Sequence, residues 1–124
     1  MPKPRILLVD DEARFRANLQ KMLGAQGLAV MAAGSGAEAL EELALNPYDV
    51  IVLDIRMPGH TGYEVCAYAK SSEKNGKTPV LLISAFPEEK AAWRLSKADA
   101  FLAKPFETGQ LIMTVDRLLK GSAV

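Results

Sequence analysis

Cysteine and histidine are nearly absent from this sequence, which has one residue of each. The single thiol, Cys66, cannot form an internal disulfide bond and cannot build a cysteine-cluster metal site. It is interpreted as a small buried side chain on a helix. The single histidine, His60, falls in a predicted loop, where an imidazole without a partner is usually solvated. A disulfide-stapled domain and a cysteine-rich metal domain are both excluded.

Long hydrophobic runs are also missing. The longest apolar segments, such as residues 50–53 and 80–83, are far below the roughly 18 residues that indicate a membrane span. The apolar stretch at residues 6–9 is too short for the core of a signal peptide, and no cleavage signal follows it. We therefore expect a cytoplasmic protein without a membrane segment.

Net charge is absent as well, because 15 basic residues balance 15 acidic ones. Without an overall field the chain is not drawn to nucleic acid, so we expect no direct nucleic-acid binding. A length of 124 residues fits one domain. We expect residues 1–124 to form that domain, with a core at about 5–120 and no output domain.

Five short apolar segments, each ending in small or acidic residues, predict five strands. They lie at residues 6–9, 28–33, 50–53, 80–83 and 100–103. Between them apolar residues recur at helical spacing, as at Leu111, Val115 and Leu118. Ser35 followed by Glu38 predicts a capping box at the start of the second helix.

Strands that are apolar on both faces and alternate with helices predict a parallel sheet covered on each side. The predicted fold is therefore α/β, a doubly wound, flavodoxin-like sheet of five strands in the order 2-1-3-4-5 with five helices. Ligands of such sheets bind beyond the carboxyl ends of the strands. The residues at those ends are the candidates for function.

Acidic, hydroxyl and basic side chains stand at four of these ends. The first strand leads into Asp10 and Asp11, and the third ends at Asp54. The fourth strand ends at Ser84, and the fifth leads into Lys104. Each residue alone has an ordinary explanation as a helix cap or a surface group. Their joint placement at one edge indicates a site.

The expected chemistry of this edge is phosphoryl transfer assisted by magnesium. Three carboxylates repel one another, and a hard divalent cation with oxygen ligands relieves that repulsion. Mg²⁺ commonly bridges carboxylates to a phosphate, which suits Asp54 as a nucleophile. Charge on the transferred oxygens calls for a cation and a hydroxyl donor, the roles predicted for Lys104 and Ser84.

Three motifs in one order resemble the receiver (CheY-like) domain of bacterial two-component response regulators. They are Ile-Leu-Leu-Val-Asp-Asp-Glu at 6–12, Asp-Ile-Arg-Met-Pro-Gly at 54–59 with Gly62 after it, and Lys-Pro-Phe at 104–106. The resemblance covers essentially the whole chain. It implies a signalling switch that takes a phosphoryl group from a sensor histidine kinase or a histidine phosphotransfer protein and changes its face for an unknown downstream protein. It also implies no enzyme activity beyond phosphorylation and dephosphorylation of its own aspartate.

The resemblance also implies a role for each residue at the metal. Asp54 becomes the phosphoacceptor. Asp11 and the backbone carbonyl of Arg56 become Mg²⁺ ligands, with Asp10 acting partly through water.

Around the phosphoryl group, the resemblance makes Ser84 and Lys104 the residues that hold its oxygens. Phe101 matches the switch aromatic, whose ring turns inward when Ser84 moves toward the phosphoryl group. The peptide bond before Pro105 is often cis in this family.

At the edge of the site, Arg56 and Phe86 occupy the two positions that control attack by water in this family. We expect them to slow dephosphorylation. Trp93 and Arg94 lie on the face expected to meet a partner. The interval from Ser84 to Lys104 is shorter than in most such domains, which predicts a short fourth helix.

Two alternatives remain open at this point. Gly34, Gly36 and Ala39 fit a loose dinucleotide-binding pattern, with Asp54 at a suitable distance for a ribose contact. That pattern follows the second strand and leaves the other strand-end residues without a role. The second alternative is a receiver-like interaction domain that is never phosphorylated.

Overall fold

The computed structural model describes residues 2–121. Positions 1 and 122–124, at the ends of the predicted 1–124 domain, lie outside the described residues. Within the described part, no helix combines the length and the apolar composition needed to cross a bilayer.

Strands and helices alternate along the chain. They are β1 Arg5–Val9, α1 Ala13–Gly24, β2 Ala29–Ala33, α2 Gly36–Leu45, β3 Val50–Asp54, α3 Gly62–Ser71, β4 Val80–Ser84, α4 Glu89–Ala92, β5 Ala100–Ala103 and α5 Thr108–Leu119. A 3-10 turn at Trp93–Leu95 follows α4. The five predicted strands are confirmed, and their ends shift by no more than one residue.

All strand pairs are parallel, and the sheet order β2-β1-β3-β4-β5 is the predicted one. Side chains at alternate positions of the strands pack into two separate hydrophobic layers, one on each face of the sheet. Leu7, Ile51 and Leu53 pack in one layer with residues of α2 and α3. Ile6 and Val52 pack in the other with residues of α1 and α5. Helices on both faces explain why β1, β3 and β4 are apolar at successive positions.

The strand register determines which side chains meet at the carboxyl edge. Val9 lies opposite Leu53, so Asp10 and Asp54 follow on neighbouring strands. Ser84, the last residue of β4, lies opposite Ala103, directly before Lys104. The four predicted strand ends therefore meet at one edge.

The helix starts differ in one respect from the sequence prediction. The Ser35 hydroxyl accepts a hydrogen bond from the Glu38 amide at 3.2 Å, as expected. The Glu38 carboxylate accepts from the Gly34 amide instead of that of Ser35, so the predicted capping box is wrong in its second half. The backbone at Ser35 is fully extended, and the amide that reaches the carboxylate is the preceding one.

The fourth helix is a single turn, which confirms the prediction of a short element. It passes directly into the 3-10 turn, and the Leu95 side chain at the end of that turn is 92% exposed. So short a helix is not stable by its own hydrogen bonds. Side-chain contacts must hold it against the sheet.

Candidate functional site

Three carboxylates meet at the carboxyl edge of the sheet. Asp10 is fully buried, Asp54 is 6% exposed, and Asp11 is open to solvent. One oxygen from each lies within 4.8 Å of the others. Oxygen donors at this spacing can coordinate a single hard cation. The structure thus brings together the three carboxylates that the sequence placed at strand ends.

Lys104 lies between two of these carboxylates. Its Nζ atom is 3.0 Å from Asp10 Oδ2 and 3.6 Å from Asp54 Oδ2. The same ammonium lies 4.2 Å from the centroid of the Phe15 ring, a favourable position for a cation. The lysine therefore balances part of the negative charge and stays near the oxygens of Asp54.

Asp10 is held in place by backbone and side-chain contacts from α1. Its Oδ1 accepts a hydrogen bond from the Glu12 amide at 2.9 Å. Its carbonyl oxygen accepts one from Arg16 Nη1 at 2.7 Å. Sequence reasoning assigned no function to Arg16 or Phe15, because a first turn of helix carries no signal that it packs on a strand end.

The environment of Asp54 changes its acidity. Burial raises the pKa of Asp54 to about 6, and the nearby Asp10 and Asp11 charges act in the same direction. The Lys104 ammonium and a hydrogen bond from the Arg56 amide oppose this increase in pKa. A divalent cation would favour the ionised form further, because it needs deprotonated oxygen ligands.

The predicted switch residues lie on the neighbouring strands β4 and β5. Ser84 is buried, and its Oγ accepts a hydrogen bond from the Phe86 amide at 3.1 Å. Phe101 is half-buried, and its ring stacks on that of Trp93 with centroids 6.0 Å apart and an interplanar angle of 9°. The aromatic thus connects β5 to the 3-10 turn after α4.

Arg56 and Phe86, which the sequence treated as two separate positions, contact each other. The Arg56 guanidinium lies 3.9 Å from the centroid of the Phe86 ring. Arg56 also forms ion pairs with Glu88 at 2.8 Å and Glu89 at 3.3 Å. The sequence pattern does not predict that these glutamates pair with Arg56, because acidic residues are common at the start of a helix.

Close packing behind Asp54 depends on Gly62, the first residue of α3. A Cβ atom there would lie 2.5 Å from the Asp54 carbonyl oxygen and 2.8 Å from the Ile55 Cα. Only glycine lets α3 begin this near the end of β3. At the other side of the site, the Lys104–Pro105 peptide bond is cis, as expected.

The glycines of the dinucleotide-binding alternative serve packing. A Cβ at Gly36 would lie 2.4 Å from the His60 Cβ, and one at Gly34 would lie 3.1 Å from Arg16 Nη1. The absence of a side chain at Gly36 is therefore explained by its packing against His60, without a nucleotide. His60 lies in a loop, as predicted, with 44% of its side chain exposed to solvent, and its Nδ1 is 3.6 Å from Glu64 Oε2.

The residues predicted to meet a partner lie together beyond the site. Trp93 is half-buried, Arg94 is exposed, and the Arg94 guanidinium lies 5.3 Å from the Trp93 ring centroid. Since Trp93 stacks on Phe101, this surface is in contact with the predicted switch aromatic.

A doubly wound sheet with an acidic trio, a lysine and a buried serine at its carboxyl edge defines a phosphoryl-accepting domain. The family described as "Response regulator receiver domain" matches residues 6–116. The chain belongs to this family, whose members accept phosphoryl groups from histidine kinases.

Among curated proteins, the chain is 36% identical to the response regulator MprA of Mycobacterium leprae over 118 residues, which cover 94% of this chain and 51% of that protein. It is 34% identical to the transcriptional activator protein PfeR of Pseudomonas aeruginosa over 122 residues, 97% of this chain and 39% of that protein. The chain spans about half the length of the curated relatives it matches.

Solved structures of response regulators have the same fold as this chain. Chemotaxis protein CheY4 of Vibrio cholerae superposes with a TM-score of 0.86 at 30% identity, covering 94% of this chain and 98% of that one. Response regulator TrrA of Thermotoga maritima, solved with Mg²⁺ and BeF, has a TM-score of 0.82 at 32% identity, with 93% and 98% covered. The carboxylates of the present chain fit the same ion, and Mg²⁺ is its cofactor.

Proposed function

We propose that this receiver domain takes a phosphoryl group onto Asp54 from a phosphohistidine of a sensor histidine kinase or a histidine phosphotransfer protein. The single observation that carries the proposal is the position of Lys104, which lies within 3.6 Å of an oxygen of Asp54 and ion-pairs with Asp10. A nucleophilic carboxylate in contact with a fixed cation matches the needs of phosphoryl transfer.

In the proposed step, an oxygen of ionised Asp54 attacks phosphorus while the bond from phosphorus to the histidine nitrogen breaks. The electrons of that bond return to the imidazole, which leaves as a neutral ring because its other nitrogen already carries a proton. Lys104 and the hydroxyl of Ser84 would hold the phosphoryl oxygens. Mg²⁺, bound by Asp11, Asp54 and the carbonyl of Arg56 with Asp10 nearby, would neutralise the charge that develops on those oxygens.

Phosphorylation would change the surface at Trp93 and Arg94, which would bind the downstream protein. A hydroxyl that moves toward the phosphoryl group vacates space on β4, which Phe101 would enter. The stack of Phe101 on Trp93 supports this route, because an inward turn of one ring removes the support of the other. A coupling of about 1 to 3 kcal/mol is typical for such switches.

The same proposal covers the remaining assignments. Turnover is limited to phosphorylation and dephosphorylation of Asp54, without a separate substrate. The receiver domain acts in the cytoplasm, and it does not itself bind nucleic acid. Balanced charge over the sequence supports the last point.

The test is incubation with acetyl phosphate, with and without Mg²⁺, followed by intact mass measurement. We expect the unaltered chain to gain one phosphoryl group only with Mg²⁺, and Asp54→Asn to gain none. Asp116→Asn, an exposed substitution on α5, is the matched control and should be modified normally. A gain that persists in Asp54→Asn, or no gain in the unaltered chain, contradicts the proposal and favours an interaction domain that is never phosphorylated.

A further inference from the structure

Glu89 is a buried carboxylate that the proposed transfer does not use. Within residues 2–121, carboxylate side chains are buried at only three positions, Asp10, Asp54 and Glu89. Asp10 and Asp54 belong to the metal site. Burying a charge without partners is costly, so the contacts of Glu89 have to explain its position.

Both oxygens of Glu89 are engaged by residues from other elements. Oε1 accepts a hydrogen bond from the Tyr63 hydroxyl of α3 at 2.9 Å. Oε2 accepts one from Arg56 Nε at 3.3 Å. Glu89 therefore fastens the start of the one-turn helix α4 to α3 and to the loop that follows Asp54.

Three contacts fix the Arg56 side chain. Glu89 contacts its Nε atom, Glu88 contacts Nη2, and its Cζ atom lies over the Phe86 ring, 3.9 Å from the centroid. A planar guanidinium held from two edges and one face has little freedom left. Glu88 is 60% exposed and Glu89 only 9%, so solvent screens the first ion pair far more than the second.

The pair of Arg56 and Phe86 also connects the two loops beside the phosphoryl site. Arg56 lies two residues beyond Asp54, the last residue of β3. The Phe86 amide donates a hydrogen bond to Ser84 Oγ. A contact between these side chains therefore joins the loop after β3 to the loop after β4.

We propose that Glu89 is a positioning residue that keeps Arg56 stacked on Phe86 as a cover, and that this cover limits the access of water to phosphorylated Asp54. The inference rests on the proposed function. It adds that the lifetime of the aspartyl phosphate is set by a residue of α4 acting through Arg56. Loss of the Glu89 charge frees the guanidinium, opens the cover and lets water attack phosphorus.

The experiment follows the loss of the phosphoryl group with time. The chain is loaded with acetyl phosphate and Mg²⁺, the donor is removed, and intact mass is recorded at intervals. Glu89→Gln keeps the size of the side chain and an acceptor for Tyr63 but loses the charge. We expect it to dephosphorylate about three- to tenfold faster, and the exposed control Glu88→Gln to stay within about twofold of the unaltered chain.

A double variant distinguishes positioning from general loosening of the structure. If Glu89 acts through Arg56, then Arg56→Gln alone accelerates the loss, and adding Glu89→Gln changes it no further. A full additional acceleration in the double variant contradicts the inference. So does an unchanged lifetime in Glu89→Gln, even if its melting temperature falls. If Glu89→Gln does not fold, an unchanged lifetime in Arg56→Gln decides against the inference equally.

Failure of the inference differs from failure of the proposed function. Normal loading with unchanged lifetimes overturns the role of Glu89 and leaves Asp54 as the acceptor. No mass gain in the unaltered chain overturns both.

Discussion

Asp54 combines two opposite requirements in one side chain. It must be ionised to act as a nucleophile, yet it lies almost buried beside Asp10 and Asp11. Burial raises the pKa of Asp54 to about 6, while Lys104 limits the increase. The carboxyl is consequently ionised at neutral pH but at a cost in folding free energy. A bound cation would remove most of that cost.

Without metal, this residue should make the protein less stable as pH rises. The pKa of Asp54 is about 6 in the folded chain and about 3.9 in the unfolded chain, so the folded state binds the proton more tightly. The stability it contributes is fully present below pH 4 and is lost as pH rises through 6. Asp54→Asn should therefore exceed the unaltered protein in unfolding free energy by about 2 kcal/mol at pH 7.5, with little difference near pH 4.

Urea denaturation in EDTA at several pH values measures this difference. Asp116→Asn, with an exposed carboxylate on α5, should show no comparable dependence on pH. A difference for Asp54→Asn that stays constant from pH 4.5 to pH 7.5 would contradict the raised pKa.

Helix α3 illustrates how an element is placed against the site. It starts at Gly62, directly behind the Asp54 carbonyl, and a complete capping box fixes that start. Thr61 Oγ1 accepts from the Glu64 amide at 3.2 Å, and Glu64 Oε1 accepts from the Thr61 amide at 3.0 Å. The pKa of Glu64 is lowered, chiefly by that second hydrogen bond. The box sets the length of the loop that carries Arg56.

Thr61→Ala should lower the unfolding free energy by about 1 kcal/mol, because it leaves the Glu64 amide without its acceptor. Thr61→Ser keeps the hydroxyl and is expected to stay within about 0.5 kcal/mol of the unaltered protein. Urea denaturation in Mg²⁺-free buffer measures both changes in unfolding free energy. Equal losses in the two variants would mean that the methyl group of Thr61, and not its hydroxyl, stabilises the start of α3.

At the scale of the whole molecule, the site belongs to no single element. Asp10 and Asp11 follow β1, Asp54 ends β3, the serine ends β4 and the lysine follows β5. These strands are neighbours only because the sheet is complete and covered by helices on both faces. An ion bound at this edge therefore stabilises the entire folded chain against unfolding.

Mg²⁺ at 100 times its dissociation constant should raise the unfolding free energy by about 2.7 kcal/mol, and EDTA should reverse the gain. Asp11→Asn replaces a charged carboxylate ligand by a neutral amide while leaving the buried residues intact, so at the same Mg²⁺ concentration its gain should be clearly smaller. The measurement is urea denaturation with and without the ion. An undiminished gain in Asp11→Asn would place the bound ion elsewhere.

The sequence by itself determined the order of the elements, the parallel sheet and the residues at its carboxyl edge. These features are local, since a buried strand is a short apolar run and its end is the next polar residue. The fold then obliged Asp10, Asp54, Ser84 and Lys104 to meet, because parallel strands end on the same side.

Only the tertiary structure decided which distant side chains contact one another. Arg56 lies on the loop after β3 and Glu89 is the first residue of α4, and no spacing rule predicts that they form an ion pair. The stack of Trp93 on Phe101 depends on how the 3-10 turn after α4 lies beside β5. The pKa of Asp54 depends on burial by the completed sheet and on the charges of Asp10, Asp11 and Lys104, which follow two other strands. Such contacts arise from packing across the chain, which a local pattern of residues does not encode.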